Sequence, residues 1–303
     1  MTSVDCQVQV GAGLRAGNCA QPPLRLGSWE LVAPISESEL TRVYRARPAG
    51  GSPARPAAYA LKVLRPEWER HPQVVSLLAR EAQVGRKVSH PHLVSVLSAR
   101  VRDVPRYLVM PWLEGVTLAD RLRDTAPPDL PEMLWVVRQV AEGLAALDAH
   151  GWMHGDVKPS NIMISPDGHA TLIDLGFAHR RHEEASAVDR VVAGTHAYLA
   201  PEVLSSRVGA DIRSDLYSLG VVLFEALTGR LPFSGQTLPE LISQHQQVPP
   251  PHLKRLAPHV PDDVARWVGR LLAKDPLRRP QTAEELVAQL VRLEIATFSE
   301  RAL

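Results

Sequence analysis

The octapeptide His154-Gly-Asp-Val-Lys-Pro-Ser-Asn161 constrains this chain more than any other stretch. A histidine, a carboxylate, a lysine and a carboxamide crowd into it, and both flanks are apolar. Upstream, Met133, Val136, Val137, Val140, Leu144 and Leu147 fall at offsets 0, 3, 4, 7, 11 and 14, one stripe of a helix that Gly151 can stop. Downstream lies the apolar run Ile162-Met-Ile164. Surface solubility does not need polar groups concentrated in a loop between two buried elements, so these are candidates for chemistry.

Lysine usage sharpens the search. The chain holds five lysines (Lys62, Lys87, Lys158, Lys254 and Lys274) among 34 basic residues, so generic positive charge is supplied by arginine. A lysine therefore marks a place where a compact ammonium matters. Lys158 sits inside the octapeptide, and Lys62 closes Ala60-Leu-Lys62 on a strand-like run. Two further motifs follow in order. Asp174-Leu-Gly176 starts thirteen residues past Asn161, and Ala200-Pro-Glu202 begins twenty-four past Gly176.

Several function classes drop out. A formal charge of +1 offers no net reason to expect nucleic acid. Cys6 and Cys19 cannot build a disulfide framework or a four-cysteine zinc site, and Cys-x-x-Cys, His-Glu-x-x-His and Gly-x-Ser-x-Gly do not occur. The best apolar run, Leu219–Phe224, is far short of a membrane span, and no signal-peptide pattern opens the chain. A cytoplasmic setting is expected.

The outline is two-part. Strand-like runs at Trp29–Val32, Thr41–Arg47, Tyr59–Leu64 and Tyr107–Trp112 surround one helix near His71–Val88. After Gly115, helices are expected near 133–147, Ser214–Leu227, Leu238–His245, Pro261–Ala273 and Thr282–Leu293, with cap signals at Ser214-Asp215, Pro261-Asp-Asp263 and Thr282. Residues 1–27 read as a flexible leader. Within it, Gly11-Ala-Gly13-Leu-Arg-Ala16-Gly17 mimics a dinucleotide fingerprint, but Pro22-Pro23 follows where a helix is required.

The ordered motifs resemble those of the eukaryotic-type (Hanks-type) serine/threonine protein kinases in their bacterial-like form, over about Trp29 to Leu293. The resemblance implies an α+β, two-lobed kinase fold: a small antiparallel-sheet N-lobe with one helix, and a larger helical C-lobe. The domain would run over 28–295, with the N-lobe at 28–110, the hinge at 111–115, the C-lobe at 116–295 and a short tail at 296–303. It further implies transfer of the ATP γ-phosphate to Ser or Thr hydroxyls of protein substrates. Asp156 would be the base and Lys158 the residue that neutralises the transferring group. Asn161 and Asp174 would hold Mg2+. Lys62, paired with Glu81, would contact the phosphates. Ile35, Val43, Ala60, Met110 and Met163 would surround adenine, with the Pro111 carbonyl and the Leu113 N–H as its hydrogen-bond partners. Glu202 would pair with Arg279, Asp215 would anchor the catalytic loop, and Gly194-Thr-His-Ala-Tyr198 would support the acceptor residue. Any regulator would act in trans.

Three departures stand out. Ser36, Ser38 and Thr41 occupy the places of the family's three loop glycines, and Glu37 and Glu39 add carboxylates beside the expected phosphates. Gly155 stands where many members carry an arginine that receives an activating phosphate. Between Phe177 and Ala193 the only hydroxyl residue is Ser186, so phosphate gating is not expected. Leu175 replaces the usual Phe, a swap that keeps the packing role. The altered loop motivates an alternative reading, a pseudokinase serving as a nucleotide-binding or scaffolding module. A dinucleotide-dependent enzyme rests on the leader alone.

Overall fold

The computed structural model describes residues 24–52, 54–124, 128–181, 196–205 and 210–298. The leader as far as residue 23, with its glycine-rich stretch and both cysteines, lies outside them, as do Ser186 and Gly194-Thr195.

Six strands form one antiparallel sheet in the order β1-β2-β3-β4-β6-β5: β1 (Leu24–Leu26), β2 (Trp29–Glu37), β3 (Thr41–Pro48), β4 (Tyr59–Leu64), β5 (Ser98–Arg100) and β6 (Tyr107–Pro111). Side chains alternate between its faces. Leu31, Ala46, Leu61, Tyr107 and Val109 make a small core on one side, while Ala60, Leu64, Leu108 and Met110 join the main core on the other. Helix α1 (Pro72–Lys87) covers that second face with Val74, Leu77, Leu78 and Ala82. Glu81 is the one charged residue among those α1 buries.

Three expectations are corrected here. Leu24–Leu26, read as part of the leader, pairs with Trp29–Leu31 as an edge strand. Strand β2 does not stop at Val32: it continues to Glu37, and Ser36 and Glu37 pair with Val43 and Arg42. Without glycines nothing loosens this segment. Irregular register at Leu31/Ala33 and Pro34/Ser36 absorbs Pro34, which cannot donate to a ladder. The last helix runs to Phe298 rather than ending near Leu293, so it takes in the first residues of the supposed tail.

The second lobe is built on helices, with small strands at the seam. They are β7 (Val116–Thr117), α2 (Leu118–Arg121), α3 (Leu130–Ala149), β8 (Trp152–Met153), β9 (Ile162–Ile164), β10 (Ala170–Leu172), β11 (His179–Arg180), α4 (Pro201–Ser205), α5 (Ile212–Thr228), α6 (Leu238–Gln247), α7 (Leu253–Leu256), α8 (Asp262–Leu271) and α9 (Ala283–Phe298). All six stripe residues of α3 are fully buried, and α5 and α9 both pack against that helix. The cap of α5 is Asp211, whose carboxylate accepts from Arg213 N–H at 2.9 Å, not Ser214-Asp215. Asp215 is buried inside the helix and serves the neighbouring loop. Strands β8 and β9 hold the two ends of segment 154–161, and β10 leads directly into Asp174. The lobes are stitched beside this seam by Val94 N–H on Leu172 O and Leu172 N–H on His92 O, both at 3.0 Å.

One buried ion pair braces the C-lobe. Arg279, with no exposed surface, donates to both carboxylate oxygens of Glu202 at 2.7 and 2.9 Å. Its remaining donors reach the carbonyls of Ala273, Lys274 and Arg213, and Ser214 Oγ donates to Glu202 Oε1. The expected Glu202–Arg279 pairing is present. Every donor of the guanidinium fork is used, which is what makes a buried arginine tolerable. Replacing Arg279 with Met should strand the Glu202 carboxylate and destabilise the protein by about 3–5 kcal/mol. Urea unfolding followed by circular dichroism measures this, and a loss below about 1 kcal/mol would show the pair to be dispensable.

Candidate active site

Strand alternation aims Ala60 and Lys62 at the interior of the cleft while Leu61 turns to the opposite face. Lys62 Nζ lies 2.8 Å from Glu81 Oε2 on α1 and 2.8 Å from Asp174 Oδ1 in the C-lobe. Burial opposes the charge on this ammonium, yet the two carboxylates outweigh it, and its pKa stands above the ordinary lysine value. For Glu81, burial is the larger influence: it pushes the carboxyl up to about 7 against the pull of Lys62. Asp174 goes the other way. Burial would raise it, but Lys62 prevails and its pKa is lowered. Asp174 also adopts φ 66°, the one non-glycine residue with positive φ among the described residues. That strain is held in place by Lys62 and by Gly176 N–H, 3.4 Å from Oδ1.

The catalytic-loop candidate hangs from α5. Asp215 accepts from the backbone N–H of His154 at 2.7 Å and of Gly155 at 2.9 Å, the anchoring role expected of it. The His154 ring accepts from Asp156 N–H at Nδ1, so its Nε2 carries the proton and donates to Ile173 O at 3.1 Å. One imidazole thereby ties the loop of Asp156 to the segment of Asp174. Asp156 Oδ2 then collects two donors, Lys158 Nζ at 2.8 Å and Asn161 Nδ2 at 2.9 Å. Its Oδ1 has no partner among the described residues. Burial raises the Asp156 pKa and Lys158 counters it in part, which suits a group that must take up a proton.

Gly155 fits where nothing larger would. Its φ is +77°, and a Cβ there would meet Phe177 O at 2.7 Å and the His179 ring at 3.0 Å.

These groups open onto a cleft of about 560 Å³ between the lobes. Ile35 and Val43 line it from β2 and β3, Ala60 and Lys62 from β4, and Met110 and Pro111 from β6. Leu113, Asn161, Met163 and Asp174 complete the expected set, and Glu81 closes its inner end. At the hinge, Trp112 N–H is spent on Ala58 O at 2.9 Å, whereas Leu113 N–H has no partner among the described residues. Asp156 and Lys158 border the adjoining part of the cavity, beneath Ser38–Thr41. Sequence reading missed Val94 and Ile173 as lining residues, although Val94 ends the His90-Pro-His-Leu-Val94 run that located Glu81. It also missed Thr117 and Asp120 at the mouth, which carry no motif of their own.

Two oxygens suit a hard cation. Asn161 commits its amide nitrogen to Asp156, and Asp174 commits Oδ1 to Lys62, leaving Asn161 Oδ1 and Asp174 Oδ2 without a hydrogen bond among the described residues. Amide and carboxylate oxygens of this kind fit Mg2+. The carboxylate of Glu37 is neutralised by Arg42 at 3.0 Å and Arg65 at 3.4 Å, so it is not a free negative charge beside the phosphate region.

Comparison with known proteins agrees with this geometry. A family model described as the protein kinase domain matches residues 41–291. The serine/threonine-protein kinase PrkC of Bacillus subtilis is 34% identical over 232 residues, covering 76% of this chain and 36% of that protein. The serine/threonine-protein kinase PknB of Mycobacterium tuberculosis is 35% identical over 240 residues, 77% of this chain and 38% of its own length. A probable serine/threonine-protein kinase of Clostridium perfringens is 30% identical over 269 residues, 88% of this chain and 38% of the relative. The chain thus spans little more than a third of these curated relatives. Sheet, seam, ion triad and sequence match agree on one conclusion: the chain belongs to the protein kinase family, in its Hanks-type, bacterial-like serine/threonine branch.

Proposed function

We propose that this chain transfers the γ-phosphoryl group of ATP to serine or threonine hydroxyls of protein substrates. The observation that carries the reading is that Lys62–Glu81–Asp174 and Asp156–Lys158–Asn161 line two adjoining parts of one cleft, each ion pair already formed. Adenine would lie between Val43, Ala60 and Met163, with the Pro111 carbonyl and Leu113 N–H at its edge. Lys62 would contact the α- and β-phosphates. Its ammonium is kept charged by two carboxylates and kept in place by α1. Asn161 Oδ1 and Asp174 Oδ2 would hold Mg2+, which when bound neutralises charge on the phosphates.

In the transfer, Asp156 Oδ1 orients the acceptor hydroxyl and takes its proton. The hydroxyl oxygen bonds to the γ-phosphorus, the bond from that phosphorus to the β–γ bridging oxygen breaks, and ADP leaves. Lys158, fixed against Asp156, offsets the charge of the moving phosphoryl group. A lysine two residues past Asp156 and the similarity to serine/threonine-protein kinases both support Ser or Thr as acceptor. No observation favours a scaffold without catalysis, since every charged member of the set is in place. Among the described residues no helix is long and apolar enough to cross a membrane. We place the activity in the cytoplasm, the compartment of ATP and of reduced thiols.

Asp156→Asn should cut phosphate incorporation from labelled ATP by at least about a hundredfold, ~2.7 kcal/mol, while leaving MgATP affinity unchanged in calorimetry. Asp174→Ala should also abolish the strengthening of nucleotide binding by magnesium. Equal incorporation by wild type and Asp156→Asn would refute the phosphotransfer reading.

With Gly155 beside Asp156 there is no arginine whose charge an activating phosphate would have to satisfy. Ser186→Ala should therefore hold the transfer rate within about threefold of wild type. A fall of about a hundredfold would identify Ser186 as an activating site.

A further inference from the structure

The glycine-free turn at Ser38–Thr41 is tied by its carbonyls to one short segment of the chain. Arg65 Nη1 donates to Ser38 O at 3.1 Å, Trp68 Nε1 to Glu39 O at 2.9 Å, and Arg65 backbone N–H to Leu40 O at 2.9 Å. Three consecutive peptide oxygens thus point toward residues 65–68. In a trans peptide the C=O and the following N–H point in opposite directions. Fixing Ser38 O and Glu39 O in this way turns the N–H groups of Glu39 and Leu40 away from residues 65–68. Neither amide has a hydrogen-bond partner among the described residues. The next one does: Thr41 N–H donates to Ser38 Oγ at 3.0 Å, which closes the turn.

The turn borders a cavity of about 200 Å³ whose other walls carry Lys62, Asp156, Lys158 and Asp174. Two unpartnered backbone donors in succession, beside two ammonium groups, form a seat for an anion. The clamp is itself well anchored. Leu40 and Trp68 both pack against the main core, and Arg65 is held by Glu67 as well as Glu37.

We propose that Arg65 and Trp68 are positioning residues for the phosphates of the nucleotide. They lock the turn with the amides of Glu39 and Leu40 presented to the phosphate chain, and this fixed orientation replaces the conformational freedom that glycines would supply. The proposal rests on the phosphotransfer reading and names what lets that site hold phosphate without glycine.

The test compares two ligands. Calorimetry gives the Kd of MgATP and of adenosine, which lacks phosphate, for wild type, Trp68→Phe and Arg65→Met. Phenylalanine retains an aromatic ring against the core and removes the Nε1–H donor together with part of the indole, and the adenosine arm reads the effect of that lost packing. Trp68→Phe should weaken MgATP about three- to tenfold, the value of one lost hydrogen bond, and leave adenosine binding and kcat at saturating ATP unchanged. Arg65→Met should show the same selective loss for MgATP. Undiminished MgATP affinity in both variants would overturn the clamp, and so would an equal loss for ATP and adenosine, which reports general loosening of the lobe. Wild-type protein that binds neither ligand would overturn the phosphotransfer reading, and the clamp with it.

Discussion

The contact on which the rest depends is the ammonium of Lys62 held between Glu81 and Asp174. Its partners lie 19 and 112 residues away along the chain, on the N-lobe helix and on the C-lobe segment that follows β10. Without the lysine, two carboxylates would share one buried space, and each lost or unpaired charge costs several kcal/mol in desolvation. The triad is therefore satisfied only when sheet, α1 and C-lobe are docked together. Packing supports the same arrangement from outside: α1 lies against the short turn Leu175–Phe177 just past Asp174. A pairing of charges that is costly when incomplete thus doubles as a check on the geometry that phosphotransfer requires.

On the C-lobe side a second chain of polar contacts sets the position of Asp156. Asp215 grips the backbone of His154 and Gly155, and the His154 ring joins Asp156 N–H to Ile173 O. The candidate base Asp156 and the segment of the metal-ligand candidate Asp174 are consequently fixed relative to one another through a single imidazole. Farther down, Arg279 and Glu202 secure the start of α4 to the turn at Pro276–Arg278 and, through Arg213 O, to the first turn of α5. The Asp215 carboxylate, the His154 ring and the Glu202–Arg279 pair are buried with both ends of each group hydrogen-bonded, so they contribute rigidity that apolar packing alone would not direct.

Much of this was legible in the chain itself. The catalytic loop stood out as polar residues between apolar flanks and Lys62 as a scarce lysine on an apolar strand, while the Lys62–Glu81 and Glu202–Arg279 pairs and the anchoring aspartate were legible only through the family resemblance that the ordered motifs carry. The strand at Tyr59–Leu64 followed from its β-branched, aromatic and leucine content, and α3 from the period of its apolar stripe. What remained illegible depended on three-dimensional register. The length of β2 could not be read from Ile35-Ser-Glu-Ser-Glu39, where four polar residues follow Ile35 and no apolar–polar alternation marks a strand. Asp211 rather than Ser214 caps α5, since both are good capping residues and only the burial of Ser214 and Asp215 decides between them. Two-residue strands such as β8 and β11 carry no pattern, yet they frame the candidate catalytic loop. Thr117 and Asp120 reach the cleft because α2 begins there, a placement that no local motif announces.

The two departures from the family pattern are physically complementary. In the phosphate-facing turn, side chains stand where backbone freedom is expected, and clamps from Arg65 and Trp68 supply the orientation that freedom would otherwise allow. In the catalytic loop, bare backbone stands where a charged side chain is expected. Phe177 O would lie only 2.7 Å from a Cβ at Gly155, and the His179 ring occupies the adjoining space, its Nδ1 at 3.1 Å from the same carbonyl. The Asp156 pKa is raised chiefly by burial, with Lys158 and His154 pulling it down and Asp174 pushing it up, and the residue just before it carries no charge. Both changes move control of the site toward contacts already present in the folded chain, between residues 65–68 and the turn on one side and between Asp215, His154 and Asp156 on the other. Folding alone brings Lys62, Glu81 and Asp174 together and sets Lys158 against Asp156, the arrangement that the proposed phosphotransfer would need.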